Sequence, residues 1–476
     1  RKISGKKMNL LNKLFLVGYY SFLNIKNLIV FFIIIFLYKL NIYFRFFETS
    51  YLLLIYQLNR KNKINLAKNL SEFFIIKKSR DLFNAYFLHA FFFNRGDIYN
   101  SIKLQQSFLE YQKMLKKILK IEDTIIVSPN YYKKLGHLAS ISLFIKAIRL
   151  RLIKEKKILI IGPKSNYNQV ILEKFLNFKE VKYLDQNNLE KSIKDNIDIL
   201  NKSLDFHEVD GKILDFIQFS NLINKVWKRK NKNNFFSYTK KEVKKANLFF
   251  KDIGIDLNKN WYVLLHVRST ADDNFSHRNS DISKYKKAIE FITSRGGFVI
   301  RIGDRNMKKL EQTKNLIDLT DHPNQSDFLL SLYHNSKFLM TGISGPGFMT
   351  TLFKNPCLHV DVGQMYEVFG KEDDYCLPRM FFQKGKILSL NKRIKPGLGQ
   401  NLSLSFLKEL KIKSLPSSEN EILDATKEIY FDIVKNKKLK DSRLRKFAKK
   451  NFINNNFPAF NISNIIEKKY KNFFVN

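Results

Sequence analysis

From about residue 76 onward, short apolar runs alternate with longer amphipathic stretches, and few folds accept that alternation. A short apolar run bounded by turn residues reads as a buried strand, and an amphipathic stretch of helical period reads as the helix that covers it. "TIIVSPN" (124–130), "LASISLFIKAIRLRLI", "KKILIIGPK" (156–164) and "NQVILEKFLNF" read as strand, helix, strand, helix. An Asn- and Lys-rich stretch from about 186 to 250 has weak periodicity and is expected to be irregular or helical connecting material. The alternation then resumes with strand "WYVLLHV", helix "DISKYKKAIEFITSRG", strand "FVIRIGD", helix "NMKKLEQTK" and a short strand near "LIDLT". Helix "SDFLLSLYHNS", strand "KFLMTGI", helix "GPGFMTTLFKN" and strand "CLHVDV" follow.

The expectation is an α/β chain with two facing Rossmann-like domains, 76–240 and 241–440, and a helical tail at 441–476. A length of 476 residues is too great for one core and fits that division. Ahead of it, residues 1–75 form an apolar and basic segment expected to be helical and membrane-proximal. Its longest uninterrupted apolar run, Leu28 to Tyr38, would rise only about 16 Å as a helix, against a hydrocarbon core of about 30 Å. With Lys26, Lys39 and Arg45 along it, the segment suits lying in a membrane interface better than spanning; burial against the protein and true spanning remain alternatives. No small-residue cleavage site follows it, which speaks against a secretory signal.

Lys and Arg outnumber Asp and Glu by 84 to 43, a net charge of +41. Such an excess suits an anionic partner, whether a phosphorylated substrate, a membrane surface or nucleic acid. Because the excess is mostly Lys and comes with abundant Asn, Ile and Phe, AT-rich coding would also produce it. No basic nucleic-acid module is recognisable. The two cysteines, Cys357 and Cys376, stand in no CxxC motif, so the sequence predicts neither a disulfide framework nor a structural zinc, and a reducing cytoplasm fits. Both read as core packing.

In doubly wound sheets, ligands sit beyond the carboxyl ends of the strands. Four loops expected there carry unusual chemistry: "HVRSTADDN", "RIGDRN", "TGISGPG" and "VDVGQMYE". Arg268 is either a surface ion pair or a bidentate contact to a diphosphate. His266 reads equally as a core histidine or a site residue. In "TGISGPG", Gly342, Ser344, Gly345 and Gly347 would let a backbone approach an anion, with the next helix aiming its amides at it, unless the run is only a tight turn. The run matches neither GxGxxG nor a Walker loop. Asp272 and Asp273 are either a general base or solvated loop residues.

"HVRSTADDNFSHRNSDISKYKKAIEFITSRGGFVIRIGD", "SGPG", "FKNPCL" and "LGHLA" (135–139) together resemble a family of bacterial glycosyltransferases with H-x-R and G-H-L-A motifs, distantly similar to the fucosyltransferase-like branch of the GT-B fold. The resemblance covers roughly 125–470 and includes "SSENEILDATKEIY", where Ser418 and Glu421 have capping-box spacing. It implies sugar transfer from a nucleotide-diphosphate sugar, with a GDP-linked donor among those the resemblance admits, to a cell-surface glycan, a lipid-linked or a related acceptor. The donor would be held mainly by the C-terminal domain. Catalysis would fall to Arg268, Asp272, Asp273 and His266, and donor binding to Gly136, His137, Arg278, Asn279, Gly303, Asp304, Ser344, Gly345 and Gly347. No D-x-D motif occurs, so neither a metal nor another cofactor is expected. The expected location is the cytoplasm, with peripheral contact on the inner face of the membrane. A non-catalytic nucleotide-sugar-binding protein at the membrane and a basic nucleic-acid-binding protein are the alternatives.

Overall fold

The computed structural model describes residues 98–473 except 129–131, 133, 163–167, 195–196, 198–199, 201–205, 231–234, 270–277, 364, 366–370, 394–406, 409, 439, 444, 448–449, 451–460 and 471–472. Two compact units divide the chain, Arg1–Phe108 and Leu109–Asn476. Of the first, only the beginning of helix α1 (Ile98–Ile118) is described, and the apolar segment 1–75 lies outside the described residues. Among the described residues, no helix is long and apolar enough to cross a membrane.

The second unit is mixed α/β. Strand β1 (Thr124–Val127), helix α2 (Leu135–Leu150), β2 (Lys157–Ile161), α3 (Gln169–Leu176) and β3 (Val181–Leu184) follow one another as the alternation predicts. They build a three-stranded parallel sheet in the order β1-β2-β3. A short helix, α4 (Lys191–Lys194), comes next.

The stretch expected to be irregular or helical holds an antiparallel hairpin, β4 (Phe206–Val209) and β5 (Lys212–Asp215). Its turn is Asp210–Gly211, both at positive φ (49° and 73°). An Asp-Gly pair between β-compatible residues is a hairpin signal, and the weak periodicity around it hid it. Helices α5 (Phe216–Lys230) and α6 (Lys240–Asp252) complete the connection, α6 opening on a Thr239–Glu242 capping box.

The larger sheet has seven strands, all pairings parallel, in the order β15-β11-β10-β9-β6-β7-β8. From β6 (Trp261–His266) the chain passes through α7 (Lys286–Thr293) to β7 (Gly297–Arg301) and β8 (Leu316–Asp318) on one side. It then crosses by α8 (Gln325–Asn335) to β9 (Leu339–Thr341) on the other side of β6, and by α9 (Gly345–Met349) to β10 (Cys357–Val362) and β11 (Tyr375–Pro378). The expected helix at 306–314 is absent; the segment is a loop. Only Met307 and Leu310 are apolar there, too few for a face whose burial would hold a helix.

A small antiparallel sheet of β12 (Met380–Gln383), β13 (Lys386–Ile387) and β14 (Ile412–Leu415) follows, with α10 (Leu390–Arg393) inside it in sequence. Helix α11 (Glu419–Ile433) starts at the capping box read from the sequence: Ser418 Oγ accepts from the Glu421 amide at 3.4 Å, and the Glu421 carboxylate accepts from the Ser418 amide at 2.7 Å. Edge strand β15 (Asn461–Ile462) and α12 (Asn464–Lys469) end the fold. Both cysteines are buried.

One continuous apolar cluster runs from the first sheet to the second, including Ile125, Leu138, Phe144 and Ile158 with Leu264, Ile300, Leu332 and Met349. Helices α2 and α9 are its seam. Gly136 of α2 and Gly345 of α9 touch, and ten residues further along α2, the Lys146 ammonium donates to the Thr351 carbonyl at 2.8 Å, just past the end of α9. The two helices therefore run side by side in the same direction. Lys371, half-buried, donates to the Thr350 and Phe353 carbonyls at 2.9 and 3.0 Å, so it and the buried Lys146 satisfy the orphan carbonyls at this helix end.

Candidate active site

Strands β6 and β9 are neighbours whose onward connections leave in opposite directions, and the crevice beyond the carboxyl ends of such a pair is where open α/β sheets bind ligands. His266, the last residue of β6, is paired in register with Thr341, the last of β9. Its Nδ1 lies 3.1 Å from Thr341 Oγ1 and 3.4 Å from Ser344 Oγ, and the two hydroxyls are 3.0 Å apart. Burial, then the Arg301 and Arg268 cations, pushes the His266 pKa down to about 4. The imidazole is therefore neutral near pH 7, able to accept or donate within a chain of hydroxyls. Arg301 is 1% exposed and is compensated by Asp318 on β8 at 2.7 Å.

The loop after β6 folds back on the Gly-rich turn. Arg278 donates through Nε and Nη2 to the Ile343 carbonyl at 3.2 and 2.9 Å, next to Ser344. The Ser280 amide donates to the Arg268 carbonyl at 3.2 Å, closing the loop that bears Arg268, which is half-buried. Asp272 and Asp273 lie outside the described residues.

Ser344 stands at the N-cap of α9, yet its side chain does not cap; it goes to Thr341 and His266. The N-cap of α2, Lys134, provides no side-chain cap either. Gly136 and Gly345 hold the first turns of these two helices together, since a Cβ on either would stand 2.9 Å from backbone of the other. His137 follows Gly136, and its carbonyl accepts from Ser140 Oγ at 2.6 Å. Gly347 packs on Thr341 and His359, where a Cβ would meet side-chain atoms at 3.3 and 3.4 Å.

Gly303 and Asp304 follow β7. Gln325 brackets Gly303, its Oε1 accepting from the Gly303 amide at 2.8 Å and its Nε2 donating to the carbonyl at 2.9 Å. The φ of 155° at Gly303 suits glycine, and Asp304 is exposed.

Several polar residues escaped the sequence reading. Asp361 bulges from β10 at φ 57°; its carboxylate accepts from the Ser417 amide at 2.6 Å and from the Ser280 hydroxyl. Arg379 donates to the Asn279 carbonyl at 3.2 Å, and Arg393 to the Val362 and Gly363 carbonyls at 2.8 Å each. Thus the loop after β6, the end of β10 and the start of α11 are tied together. The quoted "VDVGQMYE" loop was the available signal for Asp361.

Asp215 was also missed. It ends β5 and caps α5, accepting from the Ile217 and Gln218 amides at 2.9 Å each. Burial pushes its carboxyl up to about 6 although both amides pull it down. The next residue, Phe216, stacks on Phe348 of α9 with centroids 6.2 Å apart. A third helix start thereby joins the pair at Gly136 and Gly345. The sequence signal was an Asp between an apolar strand and a helical stretch. Among the described residues, no group of three His, Cys, Asp or Glu side chains could hold a metal ion.

No family model matches the chain, and no curated protein matches it. Two solved structures are similar to it in part. One is the bacterial iron-containing dodecameric glycosyltransferase TibC from enterotoxigenic E. coli H10407, 12% identical over 52% of this chain and 59% of TibC, with a TM-score of 0.31. The other is the glycosyl transferase family 9 protein from Veillonella parvula DSM 2008, 11% identical over 67% of this chain and 93% of that one, also at 0.31. Both are glycosyltransferases, and the match spans less than two thirds of TibC.

Proposed function

We propose that the protein transfers a sugar from a nucleotide-diphosphate sugar to a glycan or lipid-linked acceptor, with the donor diphosphate at the β6–β9 switch point. The observation that carries this reading is the meeting of His266, Thr341 and Ser344 at that crevice, with Arg278 fastening the Arg268 loop to the same turn. A departing diphosphate needs compensation of developing negative charge, and a guanidinium with uncapped helix-start amides supplies it. Arg268 takes the role of principal cation. A neutral His266 adds a hydrogen bond without competing for the anion's charge.

The acceptor hydroxyl must lose a proton as it attacks. Asp215 and the loop carboxylates Asp272 and Asp273 are the candidates for the base. A carboxyl held near 6 is ionised at neutral pH and more basic than a solvated one, which favours Asp215. In this reading the larger sheet forms the donor half of a GT-B-like arrangement and the β1–β3 half faces the acceptor.

The test is a panel of nucleotide sugars, read by thermal shift and then by product formation. A stabilising donor raises the unfolding temperature by mass action. If no nucleotide sugar either stabilises the protein or is consumed with any acceptor, the reading fails.

A further inference from the structure

Helix α6 carries a surface that the transferase reading leaves unused. Its inner face is well buried: Ala246, Phe249 and Phe250 are covered, and Phe249 stacks on Phe328 of α8 at 4.0 Å. Its outer face carries Lys240, Lys241, Lys244 and Lys251, all exposed, at helical spacing. Of the helix's two acids, Glu242 is used by the Thr239 capping box and an ion pair with Lys174, and Asp252 stands at its last residue, so the row keeps an excess of positive charge. Amid the lysines stand two exposed aliphatic side chains, Val243 at 46% and Leu248 at 55%. A shallow hollow of about 480 Å³ lies over them, rimmed by Lys240, Lys244 and Lys251.

We propose that this face of α6 docks on an anionic lipid bilayer surface, with the lysines at the phosphate headgroups and Leu248 and Val243 against the uppermost acyl carbons. Charge complementarity selects that occupant. Ammonium groups on long stems reach headgroup phosphates, and the aliphatic carbon exposed among them supplies the apolar part of an interfacial face. An RNA partner would call for guanidinium or freely exposed aromatic groups able to stack on bases; this face offers no Arg, and its one aromatic, Tyr238 at the end of the hollow, is half-buried with its hydroxyl donating to the Leu330 carbonyl. The contact rests on residues of α6 alone and does not depend on the transferase reading.

The full-length chain carrying Leu248→Cys is labelled with an environment-sensitive fluorophore; both native cysteines are buried and stay unlabelled. A second protein carries the label at Lys413→Cys, an exposed position on β14. Phosphatidylglycerol-containing vesicles should blue-shift the label at 248 and not the one at 413, and high salt or pure phosphatidylcholine vesicles should abolish the shift. Reversing Lys240, Lys244 and Lys251 to Glu should lower partition onto the anionic vesicles by about a hundredfold or more, at roughly a fivefold loss per cation removed. The proposal is overturned by no shift at 248, equal shifts at 248 and 413, unchanged partition of the reversed variant, or a label at 248 that responds to RNA and not to anionic vesicles. A label already shielded before vesicles are added overturns it too, by assigning the face to other protein.

Discussion

Gly136 and Gly345 meet backbone to backbone: a Cβ on Gly136 would lie 2.9 Å from the Gly345 Cα, and one on Gly345 would lie 2.9 Å from the Gly136 nitrogen. Neither neighbour can yield as a flexible side chain would, so the space is fixed by the two helices. Close helix approach by itself requires glycine at position 345, where the sequence suggested either an anion facing the backbone or a tight turn.

Gly136→Ala and Gly345→Ala should therefore each destabilise the fold by about 1–3 kcal/mol, the usual cost of overpacking. Gly347→Ala should cost less, because its neighbours at 3.3 and 3.4 Å are side-chain atoms of Thr341 and His359. Urea unfolding of the three variants measures the order, and an equal or larger cost at Gly347 would contradict it.

Arg268→Ala should reduce donor affinity and turnover together, by roughly 30-fold to several thousand-fold, since removing the charged partner of a desolvated anion costs about 2–5 kcal/mol. Arg268→Lys should recover only part of the loss, because it keeps the charge and gives up the planar fork. Steady-state kinetics with one donor decide the matter, and wild-type turnover in the Ala variant would remove Arg268 from the site.

For Asp215, the Asn variant preserves a good N-cap while removing the base. Turnover should fall by about 10²–10⁴-fold with little change in stability. In the wild type, activity should drop as the pH falls through about 6, where the carboxyl takes up a proton. Retention of activity by Asp215→Asn with the same acid limb would leave Asp215 as a helix cap only.

Lys146 is buried, its ammonium held by Asn224 at 3.2 Å and Thr351, and burial with the nearby Lys371 pushes its pKa down from 10.5 to about 7. Between those values the unfolded chain binds a proton that the folded chain lacks, so falling pH favours unfolding across this window, by up to about 1.4 kcal/mol per pH unit. Below about 7 the amine is charged in both states and the effect levels off. Lys146→Met removes this slope: measured from pH 9.5 to 7, wild type should lose stability relative to the variant. Parallel stability curves would show that Lys146 is solvated when folded.

The linear chain carries local information, and local features could be read from it. The apolar runs Thr124–Val127, Trp261–His266 and Cys357–Val362 are strands, since periodicity and length suffice to define them. Ser418 and Glu421 cap α11 because their reciprocal hydrogen bonds join residues three apart. That His266 and the Gly-rich turn lie at strand ends was equally legible. Their meeting was not: it depends on β9 crossing to the free side of β6, a choice made by the packing of whole helices on the sheet. The same holds for Gly136 against Gly345, 209 positions apart in the chain, and for the unusual titration of Asp215 and Lys146. A desolvated carboxyl or ammonium has the same spelling as a solvated one. Only the tertiary structure, by deciding which groups lose water and which face one another across distant segments, sets those properties.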